Sequence, residues 1–284
     1  MSEEFLRLPA PAKLNLMLRV VGRRPDGYHL LQTVFQFVTM CDVITLKMRK
    51  DDQIRLLNPL PDVPECSDLT VKAAHALREA TGILAGVDIH IEKNIPMGGG
   101  LGGGSSDAAT VLLGLNRIWQ TGLSPGQLAR IGLRLGADVP VFIEGHSAWA
   151  EGVGEQLTRL PLPEPWYVIV CPQCNVSTAQ IFNSPELTRD NKNITIADFL
   201  AGSEENHCLP VVTNAYPEIK TAMEELRIYS TPKLTGTGAC VFAGFKDKST
   251  ALQCRDSMAI RWSVHVTQGC NVSPLHVALE NTGQ

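Results

Sequence analysis

The sequence predicts an α/β (α+β) protein of two domains, and three observations carry that prediction. Stretches that alternate apolar and polar residues are interspersed with helix caps and helical runs. The chain has 284 residues, enough for one large domain or two ordinary ones at about 150 residues each. Pro161, Pro163 and Pro165 interrupt the pattern around residues 158–166, as a linker would. Domains over 1–157 and 158–284 are therefore expected. Hydrophobic residues make up 44% and charged residues 19%, which excludes disorder as the main state. The net charge of −4 supplies no basic field for nucleic acid or anionic lipid, so neither partner is expected. The start MSEEFLRLPA lacks the apolar core of a signal peptide, and no run of 18 apolar residues exists, so a cytoplasmic protein is expected. The eight cysteines read as reduced thiols, and the single C-x-x-C at Cys171 and Cys174 has no second half to complete a zinc site.

Leu14, Leu16, Leu18 and Val20 alternate with Lys13, Asn15, Met17 and Arg19, which predicts a strand with Lys13 and Asn15 on one face. Pro25-Asp26-Gly27 is a turn signal, because proline presets φ and glycine accepts φ > 0. A second strand follows over 28–38, and 43–48 and 54–57 read as a further pair. Ser67 or Asp68 caps a helix that runs to Ala80 and closes at Gly82, and Val87, Ile89 and Ile91 alternate as the next strand. Ser124-Pro125-Gly126-Gln127 has the cap, first-turn proline and returning glutamine of a capping box. Gly136 suits the end of that helix, which places Asp138 just beyond it and before the apolar run Val141-Phe142-Ile143. Further on come a strand over 167–170, helices near 195–201 and 216–227, a glycine-rich loop at 235–239, a helix near 248–258 and a strand at 264–267.

The segment PMGGGLGGGSSDAA, residues 96–109, packs six glycines into seven positions between a strand and a helical run over 105–116. A tight corner needs one or two glycines, whereas this density lets the backbone approach a ligand closely. The uncapped N–H groups and dipole of the following helix favour an anion, so the segment reads as a phosphate cradle. A P-loop is excluded, because Gly104 is followed by Ser105 and Ser106 with no lysine. Gly98, Gly100 and Gly103 match the dinucleotide fingerprint, but residues 118–124 offer no acid for a ribose, so a nicotinamide enzyme is not supported.

PMGGGLGGGSSDAA resembles the second signature of the GHMP kinases, and LTGTGACVF at 234–242 resembles their third. PAKLNL at 11–16, RPDGYHLLQTVFQF at 24–37 and GADVPVF at 136–142 are similar to the branch of that family whose acceptor carries a cytidine diphosphate. The likeness covers nearly the whole chain and is strongest over 9–157. It implies a GHMP kinase-like fold with the active site in the cleft between two domains. It further implies an ATP-dependent transfer to an alcohol, in the service of isoprenoid synthesis.

By that resemblance the ATP phosphates are wrapped by Pro96, Met97, Gly98, Gly99, Gly100, Leu101, Gly102, Gly103, Gly104, Ser105 and Ser106. Lys13 and Asp138 are implied as the catalytic pair. Asn15, Tyr28, His29, Thr178, Phe182, Gly236 and Gly238 are implied at the small-molecule substrate. Tyr28 and Phe182 would stack on opposite faces of the cytidine base, with His29 at its polar edge. Ala179 departs from the pattern, where a proline often follows the threonine. Mg²⁺ is expected as Mg·ATP; its protein ligand is unknown, and the Ser106 hydroxyl is a plausible contact. The chemistry agrees in type, since phosphoryl transfer needs a phosphate clamp, a group for the hydroxyl proton and a cation. Taken alone, a lysine near a strand start is usually a solvated charge and an aspartate after a helix a turn residue. A related kinase acting on a smaller alcohol or phosphorylated substrate, and a nucleotide sensor without activity, are the competing readings.

Overall fold

The computed structural model describes residues 5–60 and 63–281; the remaining positions, including the Met1–Glu4 start and the outer ends of the two expected domains, lie outside the described residues. Two long antiparallel strands, β1 (Phe5–Arg23) and β2 (His29–Arg49), form the spine of the molecule. They are joined by the anticipated turn, in which Gly27 has φ 91° and the Tyr28 N–H donates to Asp26 Oδ1 at 3.2 Å. The segments read separately as 28–38 and 43–48 are one strand. The pairing steps from Pro11↔Cys41 to Lys13↔Phe37, so β2 carries extra residues there. Such a bulge bends a strand without ending it. Residues 10–18 are buried on both faces of the sheet, which puts the polar Lys13 and Asn15 inside.

The expected pairing of 43–48 with 54–57 is also corrected. β3 (Ile54–Leu56) lies parallel to β4 (Gly86–Glu92), and it is β4 that pairs with β2. The crossover between β3 and β4 carries α1 (Leu69–Thr81), capped by the Asp68 carboxylate at Thr70 N and closed by Gly82 at φ 71°. α2 (Gly103–Ile118), α3 (Pro125–Leu135) and α4 (Val139–Glu144) follow, and the capping box at Ser124 is present. The apolar run after Asp138 is thus a short helix that starts at Asp138. β5 (Ala148–Glu151) and β6 (Gln156–Arg159) form a hairpin added to β2.

The later half contains β7 (Trp166–Cys171), α5 (Thr178–Asn183), α6 (Ile196–Leu200), α7 (Leu209–Ala215) and α8 (Pro217–Leu226). It continues with β8 (Lys233–Leu234), β9 (Val241–Phe245), α9 (Lys248–Met258), β10 (Ser263–Cys270) and α10 (Pro274–Asn281). β10 pairs along its length with β7 and touches β2 at Val38 and Phe37, so the path β3-β4-β2-β10-β7-β9-β8 is one sheet. One core lies between α1–α4 and β2, around Phe37, Leu46, Leu112 and Phe142. A second surrounds Val170, Ile219 and Val241, and Leu18 and Val20 of β1 reach into it. β1 therefore belongs to both halves, and it delivers Lys13 and Asn15 to the seam between them. Among the described residues no helix is long and apolar enough to cross a membrane.

Candidate active site

Gly98, Gly100 and Gly102 have φ between 70° and 75°, the left-handed region that favours glycine. A Cβ on Gly100 would lie 2.4 Å from the Thr235 carbonyl oxygen, and one on Gly99 would lie 2.4 Å from Cys240 Sγ. The two glycine loops are in direct contact. The N–H groups of Ala239 and Cys240 donate to the carbonyls of Gly98 and Gly99 at 3.3 and 3.1 Å, and Thr235 Oγ1 donates to Gly100 O at 3.1 Å. In a trans peptide the C=O and the next N–H point in opposite directions. Tying these carbonyls back turns the N–H groups of Gly99, Gly100 and Leu101 the other way. On that side a cleft of about 390 Å³ runs along residues 95–105, with Asp68, Lys93 and Asp107 also in its wall. The first turn of α2 opens there without a side-chain cap, so its N–H groups are available to an anion.

The first glycine loop is anchored by a buried ionic cluster that the sequence reading did not identify. Lys93 donates to Asp107 Oδ2 at 2.8 Å and pairs with Asp42, whose Oδ1 accepts from Asn94 N and Ile95 N at 2.5 and 2.8 Å. Burial lifts the Asp107 carboxyl to about 7; Lys93 opposes the shift and Asp42 adds to it. Asp107 Oδ1 and Ser106 Oγ are buried and have no hydrogen-bond partner among the described residues. Asp107 stands within the SSDAA string, but only the fold brings Asp42 and Lys93 to it.

Lys13 and Asp138 meet, with Lys13 Nζ 3.2 Å from Asp138 Oδ2. The ammonium also donates to Asn15 Oδ1 at 2.5 Å and to Gly100 O at 3.1 Å, and lies 5.4 Å from the centre of the Phe35 ring. Its three donors are thereby used. Lys13 is 3% exposed and Asp138 34%, so the lysine is fixed and the carboxylate faces the solvent of the site. Asn15 is held by its own donation to Thr33 Oγ1 at 2.9 Å.

A second cleft, of about 630 Å³, contains Lys13, Asn15, Tyr28, His29, Asp138, Thr178, Phe182 and Gly236 in its wall, and shares Gly100 and Ser105 with the first. Thr178 Oγ1 and Thr237 Oγ1 lie 3.0 Å apart at its edge. Gly238 and Ser106 line neither cleft; Gly238 packs toward Leu234, Ile219 and Val176. Tyr28 and Phe182, expected on opposite faces of the base, both line this cleft. Phe182 is stacked on His29, with centroids 4.9 Å apart and 24° between planes, while Tyr28 is 62% exposed. Arg189 ties these rings together: it donates from Nε to His29 Nε2 at 3.1 Å and from its terminal nitrogens to the carbonyls of Phe182, Ser184 and Leu187. Nothing in the sequence pattern singles out Arg189.

Comparison with known proteins agrees with this geometry. Residues 68–146 match the GHMP kinases N terminal domain and residues 189–264 the GHMP kinases C terminal domain. The chain is 57% identical over 280 residues to the 4-diphosphocytidyl-2-C-methyl-D-erythritol kinase of Methylococcus capsulatus, covering 98% of this chain and 96% of that one. It is 55% identical over 279 residues to the enzyme of the same name from Nitrosococcus oceani, covering 98% and 100%. A crystal structure of 4-(cytidine 5'-diphospho)-2C-methyl-D-erythritol kinase superposes with TM-score 0.81 at 31% identity, over 93% of this chain and 99% of that one. A mevalonate kinase structure, at 13% identity and TM-score 0.70 over 94% and 99%, shares the fold.

Proposed function

The chain belongs to the 4-diphosphocytidyl-2-C-methyl-D-erythritol kinases of the GHMP family, and from that premise we propose how its two clefts carry out the transfer. It is an ATP-dependent phosphotransferase with an alcohol acceptor. The acceptor is 4-diphosphocytidyl-2-C-methyl-D-erythritol of the methylerythritol phosphate route to isoprenoids, and its 2-hydroxyl receives the phosphoryl group. The observation that carries this is the meeting of the clefts at Gly100 and Ser105, beside Lys13 and Asp138. A donor held in one cleft and an acceptor in the other would bring their reacting groups together there.

Residues 96–106 wrap the triphosphate, with the N–H groups of residues 99–105 as the donors, and the apolar end of the same cleft, with Leu60, Val63, Leu69 and Ile95, suits the base of the nucleotide. Asp138 accepts or orients the proton of the hydroxyl, and Lys13 balances the negative charge of the site. Asn15 and Gly236 border the sugar alcohol; Tyr28, His29 and Phe182 border the cytidine; Thr178 stands at the rim. Gly238 acts by shaping the 235–239 loop. The halves 1–157 and 158–284 are proposed as the two domains that flank the cleft. Mg²⁺ bound with the nucleotide would supply neutralisation of the phosphate charge. Among the described residues no cluster of three His, Cys, Asp or Glu forms a dedicated cage. Of the two unpartnered oxygens, Asp107 Oδ1 belongs to a residue that lines the nucleotide cleft and fits a hard cation that keeps most of its ligands as phosphate and water, whereas Ser106 lines neither cleft.

The test is ADP release in the presence of ATP and 4-diphosphocytidyl-2-C-methyl-D-erythritol, with isothermal titration of CDP and ATP alongside. Turnover with that acceptor, and independent binding of CDP and ATP, is expected. Turnover only with a smaller alcohol, together with no CDP binding, would replace this reading by the smaller-substrate kinase.

A further inference from the structure

A guanidinium donates hydrogen bonds and cannot accept them. Arg189 Nε lies 3.1 Å from His29 Nε2, so the imidazole must offer a lone pair at Nε2. In a neutral ring that leaves the single proton on Nδ1. The doubly protonated ring would set one N–H against another. Burial, then the charges of Arg189 and Arg23, hold the His29 pKa below 6.5, which also favours the neutral ring. His29 lines the larger cleft, and no described residue takes a hydrogen bond from its Nδ1. The one donor of this cleft-lining ring is therefore fixed at Nδ1, on the edge away from Arg189.

We propose that Arg189 is a positioning residue that makes this kinase select cytosine over uracil, by fixing His29 as the tautomer that donates from Nδ1. This rests on the cytidyl reading of the larger cleft. Cytosine carries a lone pair at ring nitrogen N3, where uracil carries an N–H. The Nδ1 donor can pair with the first and opposes the second. A base paired edge-to-edge with Nδ1 lies near the plane of the imidazole. Since that plane is 24° from the Phe182 ring, a base so held lies nearly parallel to Phe182, and the exposed Tyr28 is free to cover its other face. The same guanidinium holds the carbonyls of Phe182 and Ser184 at 2.8 and 2.7 Å. It thus joins the tautomer of His29 to the placement of the stacking ring.

The experiment measures the inhibition constants of CDP and UDP against the cytidyl substrate, in wild type and Arg189→Met, with the KM for ATP as a check that the fold is kept. The imidazole nitrogens of His29 are followed by ¹⁵N NMR in the wild type. Wild type is expected to bind CDP about tenfold or more tighter than UDP, because the wrong base leaves a polar group unpaired. The Arg189→Met variant is expected to lose most of that ratio while KM for ATP holds, and NMR to show the proton on Nδ1. A variant that weakens CDP and UDP equally would make Arg189 a merely structural residue and overturn the proposal. A proton found on Nε2 in the wild type would overturn it without reference to any variant. Failure of the wild type itself to distinguish CDP from UDP would remove the cytidyl reading, and the proposal with it.

Discussion

Replacing Asp138 by Asn probes the reaction centre with little structural disturbance. The side chains have the same shape, and the carboxylate makes no capping bond to its own helix. Lys13 keeps Asn15 and Gly100 as partners. At 3.2 Å the lost attraction is about 1 kcal/mol in water and about 5 kcal/mol at an effective dielectric of ~20. With a third of Asp138 exposed, the lower figure is the relevant one. The variant is expected to lose about 1 kcal/mol of stability, or about 2–4 °C in Tm. The chemical loss is larger. An amide cannot take the hydroxyl proton, and removing a general base costs about 10²–10⁴ in rate, or about 2.7–5.5 kcal/mol of barrier. Steady-state ADP release at saturating substrates should show kcat reduced by that factor. The KM for ATP should stay within about twofold, since that estimate follows from losing a transition-state contact alone, and Asp138 does not line the phosphate cleft. A loss in kcat below tenfold would refute the assignment of Asp138 to the proton.

The Gly103→Val substitution puts a side chain into the wall of the phosphate cleft, against Ile95 Cγ2 at 3.3 Å and Lys93 Nζ at 3.4 Å from the new Cβ. Calorimetry should then find ATP binding abolished and CDP binding nearly unchanged, and equal loss of both would point to a shared site or misfolding. Tyr28→Ala or Phe182→Ala should raise the KM for the cytidyl substrate about 5- to 150-fold, because stacking contributes roughly 1–3 kcal/mol per base, with KM for ATP unmoved; wild-type KM in both variants would misplace the base. The half-buried His276 donates from Nε2 to Ile143 O at 3.0 Å, and desolvation pulls its pKa below 6.5. A depressed histidine pKa contributes stability that is present above 6.5 and lost as pH falls. Urea midpoints should therefore drop less between about pH 7.5 and 5.5 in His276→Gln than in wild type, and equal drops would rule the histidine out.

The sequence revealed the parts of the site that local chemistry determines. The glycine run, the turn before Tyr28, the caps of α1 and α3 and the shared face of Lys13 and Asn15 all follow from φ/ψ preference or strand period. Residues that depend on tertiary contact left no such trace. Because β1 is covered on both faces, its alternation carries no inside and outside, and its full extent over Phe5–Arg23 was not legible. The bulge in β2 broke the apolar pattern without breaking the strand. Arg189 lies 160 positions from His29, and Asp42 lies 51 from Lys93. Neither pairing has a local signature.

The absence of a lysine from the glycine loop acquires a physical meaning from these contacts. Lys13 is a cation in contact with Gly100, where the clefts join, yet its three donors are taken by Asp138, Asn15 and Gly100. In the proposed function, with Lys93 already paired to Asp42 and Asp107, attraction for phosphate then comes chiefly from backbone N–H groups, and those groups are aimed by the hold on the carbonyls behind them. Thr235 and Lys13 both donate to Gly100 O, and Ala239 and Cys240 donate to Gly98 and Gly99. The second glycine motif is therefore oriented by the third, and by the same lysine that meets Asp138. A change that moves the 235–239 loop should alter phosphate binding and the Lys13–Asp138 geometry together, because Gly100 is common to both. Neither motif provides the cradle alone, which accounts for two glycine loops from opposite halves of the chain meeting at one carbonyl.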